Sequence, residues 1–476
     1  MIRLAVADAL RWTGGTLLAG SADAVCTSVV IDSRKVEPGA LFVAIRGPNH
    51  DAHAFVADTV RAGARAVVVE RAAFEARGGA AALPGPAAVI AVDDTTAALG
   101  ALAAGHRRGF AGPVIAITGS NGKTTTKEMT AAILATRAPC LWTEGNLNNQ
   151  YGLPLTLLRL APEHRAAVVE IGTNHPGEIA PLAAIAAPTV GVVTNVGTAH
   201  IEHLGSQDGI AQEKGALFAA LGPDAVAVAN FDDPRVVAQL ARTRARRLGF
   251  GRAPEADVRA ERERTLPDGG VAFELIAPAG RRAVEVHGVG TALVIDALAA
   301  AAAALAAGAT LDDVARGLAA WRPPAGRLRP VVLPSGVTLL DDSYNANPQS
   351  MEVALRSLAA LAAGRRGLAV LGDMGELGAS APEAHRAAGR LAAELGLERV
   401  FALGEHAGEV LAGAVAAGLP PARGWAGKDV EELTARLRAV LREGDWVLVK
   451  GSRAMRMERI VQALAQPAPA AAEAAG

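Results

Sequence analysis

Cysteine is scarce in this chain, which has only Cys26 and Cys140 among 476 residues. Two cysteines cannot form the disulfide framework that stabilises small secreted domains, and no spacing typical of a zinc site occurs. The chain is also long enough to bury several hydrophobic cores without cross-links. Cysteine usage therefore indicates a reducing compartment.

Long hydrophobic runs and a marked net charge are also missing. No apolar stretch reaches the roughly 20 residues that span a bilayer, and the N-terminus lacks the features of a signal peptide. The formal net charge is -1, so the whole molecule attracts neither nucleic acid nor an anionic membrane. We expect a cytoplasmic protein, monomeric, with no nucleic-acid partner and no membrane span.

Three residue types are rare in a sequence dominated by alanine, glycine, leucine and arginine. Six of the 47 basic residues are lysine, and there are ten asparagines and two tyrosines. These rare residues cluster, because Tyr151 and Tyr344 both lie beside asparagines and most lysines fall in segments with other functional signals. The clusters indicate loops in which a functional role requires these residue types.

Two breaks rich in glycine, alanine and proline divide the chain, at 78–86 and at 321–326. Strand-like runs alternate with helical patterns on both sides of the second break, which is typical of parallel α/β sheets. We expect the tail at 466–476 to be disordered. The predicted fold class is α/β with three domains: a small α/β leader at 1–91, a central parallel-sheet P-loop domain at 92–323 and a Rossmann-like α/β domain at 324–476.

The segment 118–126 reads Thr-Gly-Ser-Asn-Gly-Lys-Thr-Thr-Thr and joins a predicted buried strand to a predicted helix that runs to about Ala135. Such a turn leaves unpaired N–H groups at a helix N-terminus, where an anion can bind. Lys123 supplies a charge for the outer phosphates, and the Thr124 hydroxyl can hold Mg²⁺. The motif is shorter than the usual Walker A sequence, whose first glycine would fall on Ile117. It predicts a nucleotide site formed by Gly119, Ser120, Asn121, Gly122, Lys123, Thr124 and Thr125.

Polar side chains follow two predicted strands of the central domain. Glu170 ends one strand and His200 follows the strand at 190–196. Ligands bind at the carboxyl ends of parallel strands, so a carboxylate and an imidazole here suit a cation shared with substrate oxygens. The alternative is a pair of hydrogen-bonded polar residues without a ligand. Lys214 is unusual, because Mg²⁺ would repel an ammonium, whereas a lysine carbamate would be an anionic ligand.

Together these segments resemble the Mur ligases, ATP-dependent amide-bond-forming enzymes of peptidoglycan precursor synthesis. The resemblance rests on the loop at 118–126, the segments around Glu170, His200 and Lys214, and Asn-Phe-Asp-Asp-Pro at 230–234. It extends to the leader, where the run at 32–44 is similar to the UDP-binding domain of the third and fourth ligases of the series. The resemblance therefore covers essentially the whole chain.

Other segments favour the fourth ligase over the third. The runs at 144–149, 341–351, 371–378 and 449–453 look like the fourth enzyme, which adds D-alanyl-D-alanine to UDP-N-acetylmuramoyl-tripeptide. The third ligase would carry an Asp-Asn-Pro-Arg type of motif, which is absent. The resemblance implies ATP and Mg²⁺ as cofactors and an acyl-phosphate intermediate. The products would be UDP-N-acetylmuramoyl-pentapeptide, ADP and phosphate.

The resemblance also implies roles for individual residues. Lys123, Glu170, His200 and Lys214 would be catalytic, and the last three together with Thr124 would ligate metal, with Lys214 carbamylated by CO₂. Arg327 and Asp342 would reach ATP from the third domain. The substrate-binding residues would be Ser33 and Arg34 on the UDP-sugar side and, at the cleft, Asn146, Asn148, Asn149, Asn345 and Asn347. A site divided among three domains should close when filled, so we expect hinges at 84–92 and 321–327.

One stretch departs from the family pattern. The family usually has Gly-x-His-Asn-x-x-Asn-Ala-Leu-Ala at the start of a central helix, and its first asparagine contacts adenine. Residues 290–299 here read Gly-Thr-Ala-Leu-Val-Ile-Asp-Ala-Leu-Ala. Leu293 offers no hydrogen bond, so no adenine-reading role passes to it.

Other functions that use a nucleotide site agree less well with these motifs. An ATP-driven switch or transport ATPase would not need the motif-rich third domain, and a non-catalytic nucleotide-binding scaffold would not need Glu170, His200 and Lys214 together. Within the ligases, the third Mur ligase and folylpolyglutamate synthase share the central domain. The asparagine-rich segment at 341–351 discriminates against both.

Overall fold

The computed structural model describes residues 2–47, 49–266, 269–290 and 292–466. The leader contains a five-stranded sheet in the order β2-β7-β6-β5-β4, parallel except for β2, and a two-stranded ribbon of β1 and β3. Its elements are β1 (Leu4–Ala5), α1 (Val6–Thr13), β2 (Thr16–Ala19), β3 (Val25–Cys26), β4 (Ser28–Val30), β5 (Ala40–Val43), α2 (Val56–Arg61), β6 (Ala66–Glu70), α3 (Arg71–Glu75) and β7 (Ala88–Val92).

The central domain is built on a six-stranded, wholly parallel sheet in the order β13-β12-β11-β8-β10-β9. A three-stranded antiparallel sheet, β14-β15-β16, follows it in the chain. The elements are α4 (Thr95–Arg107), β8 (Val114–Thr118), α5 (Lys123–Ala135), β9 (Cys140–Trp142), α6 (Gly152–Leu157), β10 (Ala166–Glu170), α7 (Ile179–Ala186), β11 (Val190–Val193), α8 (Ile201–Leu204), α9 (Gln207–Ala219), β12 (Val226–Asn230), α10 (Pro234–Gln239), β13 (Arg246–Phe250), β14 (Arg259–Thr265), β15 (Val271–Ala277), β16 (Gly280–Val286), α11 (Leu293–Ala306) and α12 (Leu311–Ala320).

The third domain has a six-stranded sheet in the order β17-β18-β22-β19-β20-β21, in which only β17 is antiparallel to its neighbour. Helices cover both faces, as in a Rossmann-like fold. The elements are β17 (Arg329–Val332), β18 (Thr338–Asp342), α13 (Pro348–Leu361), β19 (Gly367–Gly372), α14 (Ala381–Glu394), β20 (Arg399–Leu403), α15 (Ala407–Ala416), β21 (Gly424–Gly427), α16 (Val430–Val440), β22 (Trp446–Lys450) and α17 (Glu458–Ala465).

Both faces of the central sheet are buried. Val114 and Ala116 of β8 belong to a core shared with α4 and the leader, whereas Ile115 and Ile117 face a second core that contains α11. Successive strand residues point to opposite faces, which is why a run of apolar β-branched residues fills both cores. The sheet is thus a rigid platform for the loops at its carboxyl edge.

Helix α11 is buried on every side, as its composition requires. Residues 297–304, seven alanines and one leucine, are at most 1% exposed. A helix that is apolar all round belongs in a core, and small side chains allow its neighbours to approach closely. This close packing brings the first turn of α11 against the start of α5.

The α/β fold class with three units is confirmed, but the antiparallel sheet β14–β16 was not predicted. The expected hinge at 84–92 overlaps β7, which is hydrogen-bonded between β2 and β6, so residues 88–92 are part of the leader sheet rather than a hinge. The predicted boundary after residue 91 falls one residue short of the end of β7, and the boundaries stay a prediction.

The predicted disordered tail lies, from residue 467 onward, outside the described residues. None of the described helices is long and apolar enough to cross a membrane.

Candidate active site

The phosphate-loop motif lies at the point where the order of the central sheet reverses. β8 runs directly into the loop, with β10 on one side and β11 on the other. Glu170 at the end of β10 is in register with Ile117, and Val193 at the end of β11 is in register with Thr118. Because ligands of open α/β sheets bind at such a reversal, the topology places Glu170 and the loop at one ligand site.

The loop is held in shape by the segment that follows β11. The Ser120 N–H donates to the Asn195 carbonyl at 3.0 Å, and the Asn121 N–H donates to Asn195 Oδ1 at 2.9 Å. Gly119 has a φ of 152°, and a β-carbon there would lie 1.8 Å from Oγ1 of Thr194. Only glycine fits at this position.

Lys123 begins α5 and folds back over the loop. Its Nζ donates to the carbonyl of Gly119 at 2.8 Å and to that of Ser120 at 3.4 Å. Burial lowers the pKa of Lys123, the nearby carboxylate of Glu170 acts in the opposite direction, and Arg327 lowers it further. The ammonium is therefore fixed at the helix N-terminus, where it adds to the positive end of the helix dipole.

Glu170, 3% exposed, is the acceptor at the centre of the site. Its Oε2 accepts a hydrogen bond from the Thr124 hydroxyl at 2.9 Å, and its Oε1 accepts one from Asn148 Nδ2 at 2.7 Å. Arg327 Nη2, from the third domain, lies 3.1 Å from the same Thr124 oxygen. Four predicted residues thus meet here: Thr124, Asn148, Glu170 and Arg327. Their side chains combine a buried carboxylate with a hydroxyl that can bind a cation and a guanidinium that is itself a cation.

The other two predicted metal ligands are placed differently. His200 Nδ1 forms a short hydrogen bond with Glu376 Oε2 of the third domain, and this bond is the main cause of the lowered pKa of Glu376. Lys214 is 1% exposed, and its amine donates no hydrogen bond to any of the described residues. Burial lowers its pKa well below the usual value, with Lys123 adding to the shift. No cluster of three or more His, Cys, Asp or Glu side chains suited to a metal occurs in the described ranges.

Several hydrogen bonds between described residues join the central and third domains around the loop. Besides Arg327–Thr124 and His200–Glu376, Asn347 Nδ2 donates to Asn121 Oδ1 at 2.8 Å, and the Thr198 N–H donates to Gln349 Oε1 at 3.0 Å. Asn347 also caps α13 through a bond from the Ser350 N–H at 2.9 Å. The start of α13 is therefore held against the phosphate loop.

The segment after the second break is fixed by two neighbouring aspartates. Asp341 accepts from the Gly326 N–H at 2.9 Å, and Asp342 accepts from the Leu328 N–H at 3.2 Å. Lys450, 2% exposed, donates to Asp342 at 2.5 Å. These bonds orient Arg327, whose guanidinium lies 4.2 Å from the centre of the Tyr344 ring.

The remaining predicted asparagines, Asn146, Asn149 and Asn345, lie at the cavity and differ in how far their side chains are already hydrogen-bonded. Asn149 accepts from the N–H groups of Tyr151 and Gly152 at the start of α6, and Asn345 Oδ1 accepts weakly from the Arg453 N–H at 3.4 Å. Asn146 is exposed to the cavity. Asn149 thus has a structural role in this structure, and the substrate roles of all three stay predictions.

Ser33 and Arg34 lie on the leader, apart from the residues that line the main cavity. The Arg34 side chain is 87% exposed and pairs with Asp32 at 2.9 Å. The hydrogen bond from Arg34 is the main reason that the pKa of Asp32 falls to about 2. Their assignment to the UDP-sugar stays a prediction, and it requires a substrate that extends from the cavity to the leader.

A cavity of about 1610 Å³ lies between the central and third domains. It exceeds the roughly 300–1,000 Å³ of a pocket for one small molecule, so it has room for more than one substrate. Gly119 and Lys214 do not line this cavity. Most of the other predicted site residues do: Ser120, Asn121, Gly122, Lys123, Thr124, Thr125, Asn146, Asn148, Asn149, Glu170, His200, Arg327, Asp342, Asn345 and Asn347.

Sequence reasoning missed several residues that line the cavity. Tyr344 and Lys450 were singled out by rarity but given no role, and Glu376 lies in a quoted motif without an assignment. Gln349 and Asp296 carried no signal of their own. Only the folded chain shows that these residues face the phosphate loop.

Comparison with known proteins agrees with this arrangement. The chain matches the Mur ligase family catalytic domain at residues 25–107, the Mur ligase middle domain at 117–304 and the Mur ligase glutamate ligase domain at 326–453. A UDP-N-acetylmuramoyl-tripeptide–D-alanyl-D-alanine ligase of Escherichia coli is 38% identical, with 93% of this chain and 94% of that protein covered. The enzyme of the same name from Bacillus subtilis is 32% identical, with 98% and 99% covered.

Solved structures give the same result. MurF from Acinetobacter baumannii superposes with a TM-score of 0.87 at 34% identity, covering 98% of this chain and all of that one. MurF from Thermotoga maritima in complex with ADP has a TM-score of 0.79 at 29% identity, with 92% and 97% covered. A folylpolyglutamate synthase of Mycobacterium tuberculosis, at 19% identity and a TM-score of 0.62, shares the fold. The chain belongs to the Mur ligase family and, within it, to the MurF group.

Proposed function

We propose that this chain joins D-alanyl-D-alanine to UDP-N-acetylmuramoyl-tripeptide in an ATP-dependent reaction that yields UDP-N-acetylmuramoyl-pentapeptide, ADP and phosphate. The observation that carries the proposal is the cavity in which a phosphate loop, a buried carboxylate and a third-domain arginine meet. The near full-length similarity to enzymes of that name supports the choice of substrates.

The chemistry that such a site favours is activation of a carboxylate by phosphoryl transfer. The tripeptide carboxylate attacks the γ-phosphorus of ATP, an O–P bond forms and the bond to ADP breaks. The amine of the dipeptide then attacks the acyl phosphate, the C–N bond forms, phosphate leaves and the amine proton passes to solvent. Both steps gather negative charge, so fixed cations and N–H donors lower both barriers.

The groups that bind and orient the phosphates are on this chain. We assign Lys123 and the N–H groups of residues 122–125 to the β- and γ-phosphates, because the N–H groups of Ser120 and Asn121 are bonded to Asn195 and the helix N-terminus is open to an anion. Arg327 is assigned to the transferred phosphoryl group, since its guanidinium already reaches the loop threonine. Asp342 supports Arg327 through the Leu328 N–H and through Lys450.

The donor atoms also suit Mg²⁺, which would neutralise phosphate charge when bound. The Thr124 hydroxyl and the Glu170 carboxylate are hard oxygen donors in contact with one another. His200 and carbamylated Lys214 are the further proposed ligands. Support for the carbamate comes from burial of Lys214, which favours the neutral amine that reacts with CO₂.

The peptide ends of both substrates would lie at the border of the central and third domains. Asn146, Asn148, Asn149, Asn345 and Asn347 supply amide donors and acceptors along that border, and Ser33 and Arg34 would meet the uridine end on the leader. We further propose that the protein works as a monomer in the cytoplasm. Both cysteines are buried and unpaired, which suits a reducing compartment.

The proposal is tested by phosphate release with purified protein, ATP, UDP-N-acetylmuramoyl-tripeptide and D-alanyl-D-alanine, with each component omitted in turn. We expect phosphate only in the complete mixture, together with a pentapeptide product identified by mass. A panel of other amines, including single amino acids, provides the matched control. Equal phosphate release without any amine would indicate an ATPase and contradict the proposal.

A further inference from the structure

Lys127 is a buried lysine that the proposed reaction does not use. It lies on α5 about one helical turn after Lys123, and its side chain is completely buried. It does not line the main cavity, so it is set back from substrates bound there. A lysine on a helix normally keeps its ammonium in water, and a buried ammonium is unfavourable unless it is paired and hydrogen-bonded. Lys127 therefore depends on partners inside the protein.

The main partner of Lys127 is the backbone of Thr143. The Lys127 Nζ donates to the Thr143 carbonyl at 2.5 Å, and it also pairs with Glu128 Oε1 at 2.8 Å. The Glu128 side chain is 25% exposed, so water can solvate its carboxylate, whereas Thr143 is fully buried. The bond to Thr143 is therefore the one that water cannot replace.

Thr143 connects the end of β9 with two other elements of the central domain. Its N–H donates to the Val168 carbonyl at 3.0 Å, and its hydroxyl accepts from the Glu170 N–H at 3.0 Å, so it is fixed to β10 at two points. Its carbonyl accepts the bond from Lys127. That bond ties the end of β9 to the helix that begins at the phosphate loop.

The asparagine loop, residues 144–149, starts directly after Thr143. It returns to the end of β10, where Asn148 Nδ2 donates to Glu170 Oε1 at 2.7 Å and the Gly172 N–H donates to the Asn148 carbonyl at 2.9 Å. Three of its asparagines line the cavity. The loop is therefore anchored at both ends, and its first end is held from α5.

We propose that Lys127 is a positioning residue, which fixes the asparagine loop relative to the phosphate loop through the Thr143 carbonyl. The inference rests on the function proposed above, in which the asparagine loop binds peptide and the start of α5 binds phosphate. A carboxylate can attack the γ-phosphorus only when the two substrates are held at the correct distance and angle. Lys127 thus acts on the peptide substrate and on the transfer step, but not on nucleotide binding.

A role in helix stability alone would have a different consequence. If Lys127 only stabilised α5, its loss would disturb the helix N-terminus and would weaken nucleotide binding together with catalysis. Loss of a positioning bond leaves that terminus intact, because Lys123 keeps its own bonds to the carbonyls of the phosphate loop. Nucleotide affinity and catalysis are therefore expected to separate.

The experiment compares Lys127→Met with the wild type, because methionine is flexible and apolar and removes the cationic donor. The Kd for Mg²⁺ and ADP, measured by calorimetry, should stay within about threefold of the wild type. The kcat/KM for UDP-N-acetylmuramoyl-tripeptide, measured by phosphate release at saturating ATP and D-alanyl-D-alanine, should fall about tenfold or more. Glu128→Gln is the matched control, since it removes the charge beside Lys127 but leaves the bond to Thr143, and it should stay within about twofold in both measurements.

A double-mutant cycle with Asn148→Ala tests the route of the effect. Asn148→Ala releases the other end of the asparagine loop, so the loop is already misplaced when Lys127 is lost. The fall in kcat/KM of the double variant should be smaller than the product of the two single losses by about threefold or more. A fall equal to that product would mean that the residues act independently, and it would overturn the inference.

Lys127→Arg provides a second variant if Lys127→Met does not fold. It keeps the charge, but its planar fork cannot reproduce one short bond from Nζ, so it should bind ADP like the wild type and lose about threefold or more in kcat/KM for the tripeptide substrate. Parallel losses of ADP affinity and kcat/KM in the folded variant, or no loss of either, would overturn the inference alone. A wild type that releases no phosphate in the complete mixture would overturn the proposed function instead.

Discussion

Replacing Arg327 by lysine separates the charge of this residue from its geometry. The guanidinium is the cationic group that the third domain places against the phosphate loop, since it donates to Thr124 Oγ1 at 3.1 Å while it stacks on Tyr344 at 4.2 Å. Lysine keeps the positive charge but loses the planar stack and the fixed direction of its donors. The substitution therefore tests whether the site requires a preorganised cation or only a cation.

The expected loss can be estimated from the two contacts. A hydrogen bond of this kind contributes about 0.5–1.5 kcal/mol and a cation–π contact about 0.5–2 kcal/mol. Together they amount to about 1–3.5 kcal/mol, which is roughly a 5- to 400-fold loss in kcat/KM for ATP. The KM for D-alanyl-D-alanine should change little, because Arg327 is assigned to the phosphoryl group.

The assay is steady-state phosphate release with ATP varied at saturating levels of the other substrates. Arg329→Lys is the matched control, because Arg329 is exposed on β17 two residues away. Melting curves of both variants exclude unfolding as the cause. A value of kcat/KM for Arg327→Lys within about twofold of the wild type would refute the reasoning.

Three further predictions concern other parts of the site. Lys123→Ala should lower kcat by about 100-fold or more, because it removes a cation that stabilises the negative charge of the transition state. Lys428→Ala, at an exposed site, should not lower kcat. A loss below about threefold in Lys123→Ala would reject the assignment. A crystal of active, metal-loaded protein grown near neutral pH should show a carbamate on Lys214, and a bare amine there would exclude that ligand. Replacing both Ser33 and Arg34 by alanine should raise the KM for the UDP-sugar substrate more than the KM for ATP, and equal changes would argue against a uridine-side role.

The loop and the strand ends could be predicted from local patterns. A strand, a glycine turn and a helix that starts at Lys123 follow from residue order alone, and α5 ends at Ala135 as expected. Glu170 was predicted beside the loop because parallel strands bring their carboxyl ends to one edge. In the structure Glu170 is in register with Ile117, one residue before the strand end that leads into the loop.

The contacts between domains could not be predicted in the same way. Glu376 and Gln349 come within hydrogen-bonding distance of the central domain only because two separate sheets meet, and no sequence period records that meeting. Asp296 is a second example, since its environment depends on the close approach of α11 to α5. The antiparallel sheet β14–β16 was not predicted, because β14 is a mostly charged and exposed run that resembles a loop.

The most direct test of the account follows an oxygen atom. UDP-N-acetylmuramoyl-tripeptide labelled with ¹⁸O in its terminal carboxylate is incubated with the protein, ATP, Mg²⁺ and D-alanyl-D-alanine, and the released phosphate is analysed by mass spectrometry. Activation of the carboxylate by phosphoryl transfer predicts one labelled oxygen in each phosphate released from fully labelled substrate. Phosphate without label would mean that water attacks ATP, and it would contradict the claim that this site activates a carboxyl group.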